Sequence, residues 1–168
     1  MALNAFMTFF GDADGESHVK GHEKEIEVEG WDWEVEAAVL TSLGSGASAG
    51  KPKPSALRWS HFFDSASLAI IRRIITGAHF AKARLQLFRS SSHGPAGSAA
   101  LYLTITVEDV LITRVGQVGT DDGRALQSVE MVFQKITFEY RRASPSGGAA
   151  ATQTLSWDIP AGTASPSA

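Results

Sequence analysis

Apolar and polar residues alternate with a period of two through much of the chain, the spacing of a strand with one buried face. Leu101, Leu103, Ile105 and Val107 fall on one side, and Tyr102, Thr104, Thr106 and Glu108 on the other. Ala81, Ala83, Leu85 and Leu87 alternate in the same way with Lys82, Arg84 and Gln86, and Val110 to Val118 prolongs this β-rich centre. Earlier strands are predicted from Ala5 to Phe10 and from Glu25 to Glu36.

Two of the predicted strands change parity midway. Ile26 and Val28 are apolar at even positions, but Trp31, Trp33 and Val35 at odd ones, with Gly30 at the switch. Val129, Met131 and Phe133 give way to Ile136, Phe138 and Tyr140. A β-bulge at Gly30 and another near Gln134 and Lys135 would return the apolar residues to the buried face, and bulged, long strands suit a curved or closed sheet.

One segment reads as a helix. Asp64 or Ser65 can cap its start, Leu68, Ile71 and Ile75 form one stripe that Ile70 and Ile74 widen, and Arg72 and Arg73 point away. Gly77 supplies the positive φ that commonly ends a helix. About eight strands plus this helix predict a mainly β protein: an antiparallel β-barrel with one packed α-helix. Segments rich in Gly, Ser, Ala and Pro, from Ser42 to Ser55, Ser90 to Ala99 and Ala143 to Ala151, read as loops. A single domain over residues 1–160 is expected, with 161–168 as a flexible, frayed tail.

Composition narrows the function more than it directs it. At 168 residues, 43% hydrophobic and 20% charged, the chain has the balance of one soluble globular domain. A net charge of -3 offers no field for a phosphate backbone, so nucleic acid is not expected as a partner. With no cysteine there is neither a disulfide framework nor a thiolate nucleophile. No apolar run approaches the roughly 18 residues of a membrane span, so no membrane insertion is expected. The opening Met-Ala-Leu-Asn-Ala-Phe lacks the basic and apolar regions of a secretory signal, so export would need another route.

Candidate chemistry is sparse. His18 and His22 stand four apart before Glu23, but metal-binding geometry at that spacing needs a helix, and the surroundings read as a loop. Asp12, Asp14, Gly15 and Glu16 match a calcium loop only partly, and a polar turn accounts for them. His61 and His79 flank the helix without a nucleophile elbow; Ser45 between Gly44 and Gly46 is loop composition. Gly116, Gly119 and Gly123 lack the spacing of a phosphate loop. No catalytic residue, metal site or cofactor is therefore assigned, and an enzyme is not expected. Trp31, Trp33, Trp59 and Trp157 could line a sugar or small-ligand groove in a monomeric barrel, though packing suffices to explain them.

Several segments, in order, resemble the Hcp (haemolysin-coregulated protein) family of type VI secretion tube proteins. They are Gly15-Glu16-Ser17 with Gly21-His22, Ile26-x-Val28 and Trp33; Phe63-Asp64-x-Ala66-Ser67 closing on Gly77-x-His79-Phe80; Tyr102-Leu-x-Ile105 with Glu108-Asp109-Val110 and Ile112; Ser128-Val-Glu130 with Phe133-x-Lys135-Ile136 and Tyr140; and Trp157-Asp158. The resemblance runs from about Ala5 to Asp158 and departs in the composition of Ser42 to Ser55 and Ala143 to Ala151. It implies homo-hexameric rings that stack into the inner tube of a contractile machine, meet spike, sheath and effector proteins, and are secreted from the cytoplasm without a signal peptide. It further implies that the long loop reaches toward adjacent subunits, so Lys51, Pro52, Lys53 and Pro54 are expected at ring or stacking contacts.

Overall fold

The computed structural model describes residues 4–42, 46–90, 99–142 and 151–167. Its centre is a long strand, β10 (Ala99–Gly119), folded back on β11 (Ala125–Val132) and β12 (Lys135–Arg141) as one bent antiparallel hairpin. The pairing register is unchanged across the bend, with Leu111 opposite Val132 on one side of it and Glu108 opposite Lys135 on the other. At the corner Asp109 takes a left-handed φ of 54°. Both strands switch facing there: Val107 and Val110 are both buried along β10, as are Phe133 and Ile136 along the return. The parity change expected near Gln134 and Lys135 is thus a corner at which the strand breaks at Phe133–Gln134.

The bend divides the neighbours into two layers. Below it β10 pairs with β9 (Phe80–Ser90), β9 with β1 (Asn4–Phe9), and β1 with the short β2 (Ile26–Glu27). On the other flank β12 pairs with β13 (Thr152–Asp158) and β13 with β14 (Thr163–Ser167). Above the bend β11 pairs with β8 (Leu57–Phe62), and β8 with β3 (Gly30–Asp32). The two inner faces enclose Met7, Ile26, Leu57, Phe80, Leu85, Ile105 and Met131, all almost wholly buried. Side chains fill the space between the layers, as in small barrels.

Three expectations about the sheet need correction. The main sheet has ten strands rather than about eight, and its ladder does not close into a barrel. Between β2 and β3 the chain changes partner instead of bulging: Val28 donates to the Ala5 carbonyl at 2.9 Å, and Glu29 to the Ser60 carbonyl at 2.8 Å. On either side of this change β2 keeps a short ladder with β1 and β3 a short ladder with β8. The tail expected to be frayed contains β14, paired with β13 through Thr154↔Ser167 to Asp158↔Thr163.

The helix α1 (Ser65–Thr76) is capped as its sequence predicts, by Asp64 in a reciprocal box with Ser67 and by Gly77 at φ 65°. Its facing departs in part from the expected stripe: Ile70 and Ile74, which widen it, face the core, while Leu68 and Ile75 do not. Ala66, Ser67 and Ile70 are fully buried, whereas Leu68 is 65% and Ile75 77% exposed. Arg73 does not point away: its guanidinium lies 4.6 Å over the Phe80 ring and bonds the His79 carbonyl at 3.0 Å. Asp12 then holds both Arg72 and Arg73. The small Ala66 and Ser67 allow close approach to the core, so they set the contact rather than the larger Leu68 and Ile75.

Candidate functional site

The segment from β3 to β8 leaves the main sheet as an arm. β4 (Val35–Glu36) pairs only with β7 (Lys53–Pro54), and β5 (Val39–Ser42) only with β6 (Gly46–Ala49). The expected loop from Ser42 to Ser55 is therefore a two-tiered hairpin for most of its length; Gly44, Ser45 and the rest of 43–45 lie outside the described residues. Backbone groups hold it: Gly50 donates to the Ala38 carbonyl at 2.6 Å and Ser55 to the Glu34 carbonyl at 2.8 Å. At its root Glu34 N–H donates to Ser55 Oγ at 3.0 Å. Gly50 suits the first of these bonds, since a Cβ there would sit 3.1 Å from the same Ala38 oxygen.

Lys51, Pro52 and Lys53 are exposed on the returning strand of this arm, and Pro54 is half-buried opposite Val35. Val35 and Val39 are also exposed, so the arm presents both cations and apolar side chains to its surroundings. Proline at β7 removes a ladder donor and marks an edge strand.

Most of the other candidate side chains have structural partners, and His18 is exposed. His22 stacks on Phe6 with ring centroids 4.1 Å apart and meets Glu25 at 2.6 Å, while Glu23 accepts from Gly21 N–H at 3.0 Å. Lys24 is 3.7 Å from Asp14. Glu16 accepts from Ser65 at the helix start, and His79 meets Asp109 at 2.7 Å. Among the described residues no three His, Asp or Glu side chains are grouped so as to hold a metal ion. No helix among them is long and apolar enough to cross a membrane.

The tryptophans are dispersed. Trp31 and Trp59 are cross-strand partners beside an open groove of about 390 Å³, bordered by Arg58, which reaches Asp32 at 2.9 Å and Glu130 at 3.7 Å. Trp33 lies against Phe138 with centroids 5.4 Å apart, and Trp157 packs on the main core.

One buried polar pair was not legible in the sequence. His61 is fully buried beneath Trp59; its Nε2 meets Gln127 Oε1 at 2.9 Å, and its Nδ1 lies 3.6 Å from Asp64, the helix cap. Burial holds the imidazole below its ordinary value, against the opposing pull of Gln127 and Asp64, and burial likewise raises the Asp64 carboxyl. As pH falls through about 6.5 the unfolded chain gains a proton at His61 that the folded chain does not, so this residue subtracts stability in acid. Asp64 acts in the opposite sense near the lower, carboxylate range, because its folded form binds the proton more readily. In an NMR titration the His61 ring is expected to titrate below 6.5, and titration at or above that value contradicts this burial.

Known proteins share this architecture. Residues 6–140 match the family model described as "Type VI secretion system effector, Hcp". The chain is 27% identical over 146 residues to the Major exported protein of Pseudomonas aeruginosa, covering 83% of this chain and 82% of that one. It is 26% identical over 148 residues to Protein hcp1 of the same organism, covering 88% of each. Among solved structures, Hcp1 from Salmonella typhimurium is 28% identical with a TM-score of 0.76, covering 98% of this chain and all of that one.

Proposed function

The chain belongs to the Hcp family of type VI secretion proteins, and from that premise we propose that it works as a structural subunit whose hexameric rings stack into the secretion tube. The family match across residues 6–140 carries this reading. The likeness to the Major exported protein supports secretion of the chain itself, and its departure from the cytoplasm through the type VI machine is part of the proposal. Effector, spike and sheath proteins are its proposed partners. No catalytic role is proposed.

A ring of identical subunits closes through a heterologous contact, in which one patch meets a different patch on the next copy. Ring-to-ring contacts must also release when the tube is dismantled, which favours a modest polar surface. The arm suits such a ring-to-ring contact, because Lys51, Lys53 and Glu36 are exposed on a hairpin that pairs only with itself.

Lys51→Asp with Lys53→Asp is expected to weaken stacking at least about tenfold in concentration while circular dichroism stays that of the parent. Native mass and electron microscopy read the stacking. Stacks that form at unchanged concentration would remove the arm from that contact, and a β spectrum lost together with assembly would assign these residues to the fold.

A further inference from the structure

A buried imidazole and the cap of the helix face each other as two acceptors. His61 Nε2 lies 2.9 Å from Gln127 Oε1, an oxygen that can only accept, so the neutral ring carries its hydrogen on Nε2 and presents a lone pair at Nδ1. That Nδ1 is buried and has no hydrogen-bond partner among the described residues. It faces Asp64 Oδ1 at 3.6 Å, beyond bonding distance, as two acceptors without a hydrogen between them must stand. The arrangement has room for one proton.

The two groups are held unequally. His61 is pinned by Gln127, lies under Trp59 with ring centroids 4.9 Å apart and has no exposed surface. Asp64 is held by longer bonds: the same Oδ1 accepts from Ser67 N–H at 3.3 Å and from Ser67 Oγ at 3.4 Å. A charge-assisted N–H to carboxylate bond closes to about 2.7–2.9 Å, so a proton at this point draws the carboxylate toward the ring and takes up its charge. The bonds to Ser67, already long, are the ones that yield.

We propose that His61 and Asp64 form a proton-operated latch at the start of α1. Without the proton Asp64 caps Ser67; with one proton shared between Nδ1 and Oδ1 it binds His61 instead, and the first turn of the helix loosens. The empty pair buries a net negative charge and the filled pair buries none, which favours filling in a site that penalises charge. Burial lowers the imidazole from 6.5 and raises the carboxyl from 3.8, so the two ranges converge and one proton serves both in mild acid. The other charged group acting on the pair is Glu16, which accepts from Ser65 N–H at 3.2 Å and favours a proton on Asp64. Beside His61 the inward side chains of β8 and β11, Leu57, Trp59, Val129 and Met131, carry no charge, and Arg58 is turned the other way, toward Asp32 and Glu130.

Hydrogen-exchange mass spectrometry of the full chain reads both halves of the latch. Exchange of the His61 imidazole C2–H reports the ring's titration, and amide protection of residues 65–68, corrected for the intrinsic effect of pH, reports the cap. Between about pH 7 and pH 5 that protection is expected to fall about fivefold, the usual effect of losing an N-cap, with the same midpoint as the ring. In Asp64→Asn, a cap without a carboxylate, protection is expected to hold over this range and His61 to titrate lower than in the parent. Asp64→Ser, a second neutral cap, is expected to behave in the same way and replaces Asp64→Asn where that variant does not fold. Parent protection that holds or rises while His61 titrates overturns the latch. So does a neutral-cap variant that loses protection as the parent does.

Discussion

Replacing Ile70 with alanine is expected to cost about 2–5 kcal/mol of folding stability, while the same change at Ile75 costs under about 0.5 kcal/mol in the dissociated monomer. The two residues lie on one helix and differ only in what surrounds them. Ile70 has no exposed surface and faces the core, so its removal loses transfer free energy and leaves a cavity. Ile75 is 77% exposed and has little contact to lose. Urea denaturation of both variants checks this. Equal losses would mean that α1 is rotated toward the stripe its periodicity suggests.

The second large effect is expected at Gly15, where alanine should cost about 3 kcal/mol. A Cβ there would stand 2.7 Å from Ile26 N and closer still to the Glu25 carbonyl oxygen, both backbone atoms that cannot turn aside. The approach is close because Gly15 N–H donates to the Lys24 carbonyl at 2.8 Å and Ser17 N–H to that of Glu25 at 3.1 Å. Gly119→Ala, with nothing within 4 Å of its Cβ, is the control and should change stability by less than about 0.5 kcal/mol. A Gly15→Ala variant as stable as that control would contradict the packing of this loop.

The same loop gives a physical reading of Gly15-Glu16-Ser17. Gly15 permits backbone contact with the start of β2, Glu16 binds Ser65 at the head of α1, and Ser17 Oγ donates to Glu27 at 2.9 Å. Three consecutive residues thus tie a strand and the helix to one loop, and their chemistry is structural.

The sequence was most legible where one face is buried and the other wet. β9 and β10 follow from their alternation, and both ends of α1 from Asp64 and Gly77. The corner in the long hairpin was legible as a change of parity, though its cause, a matched reversal on both strands around Asp109, depends on pairing. The helix facing was illegible because apolar residues occur on both sides of α1. Small side chains decided it, and their close packing carries no hydropathy signal. The arm and β14 were missed for another reason: Gly, Ala, Ser, Thr and Pro dominate them, and their pairing relies on backbone bonds rather than a buried face.

The candidate site divides in the same manner. Lys51 to Pro54 stood out as charge and kinks in a poorly patterned segment, and the structure places them on the arm. The bare surfaces at Leu68, Ile75 and Leu155 could not be found from pattern, because each residue resembles an ordinary core position. Only the fold distinguishes an apolar residue whose neighbours are present from one whose neighbours are missing.

Whether this chain is a ring subunit is tested most directly by the native mass of the unmodified protein. Six copies of a 17.9 kDa chain have a mass of roughly 107 kDa, the value predicted at micromolar concentration and physiological salt. A species of 17.9 kDa that persists as concentration rises would contradict the account.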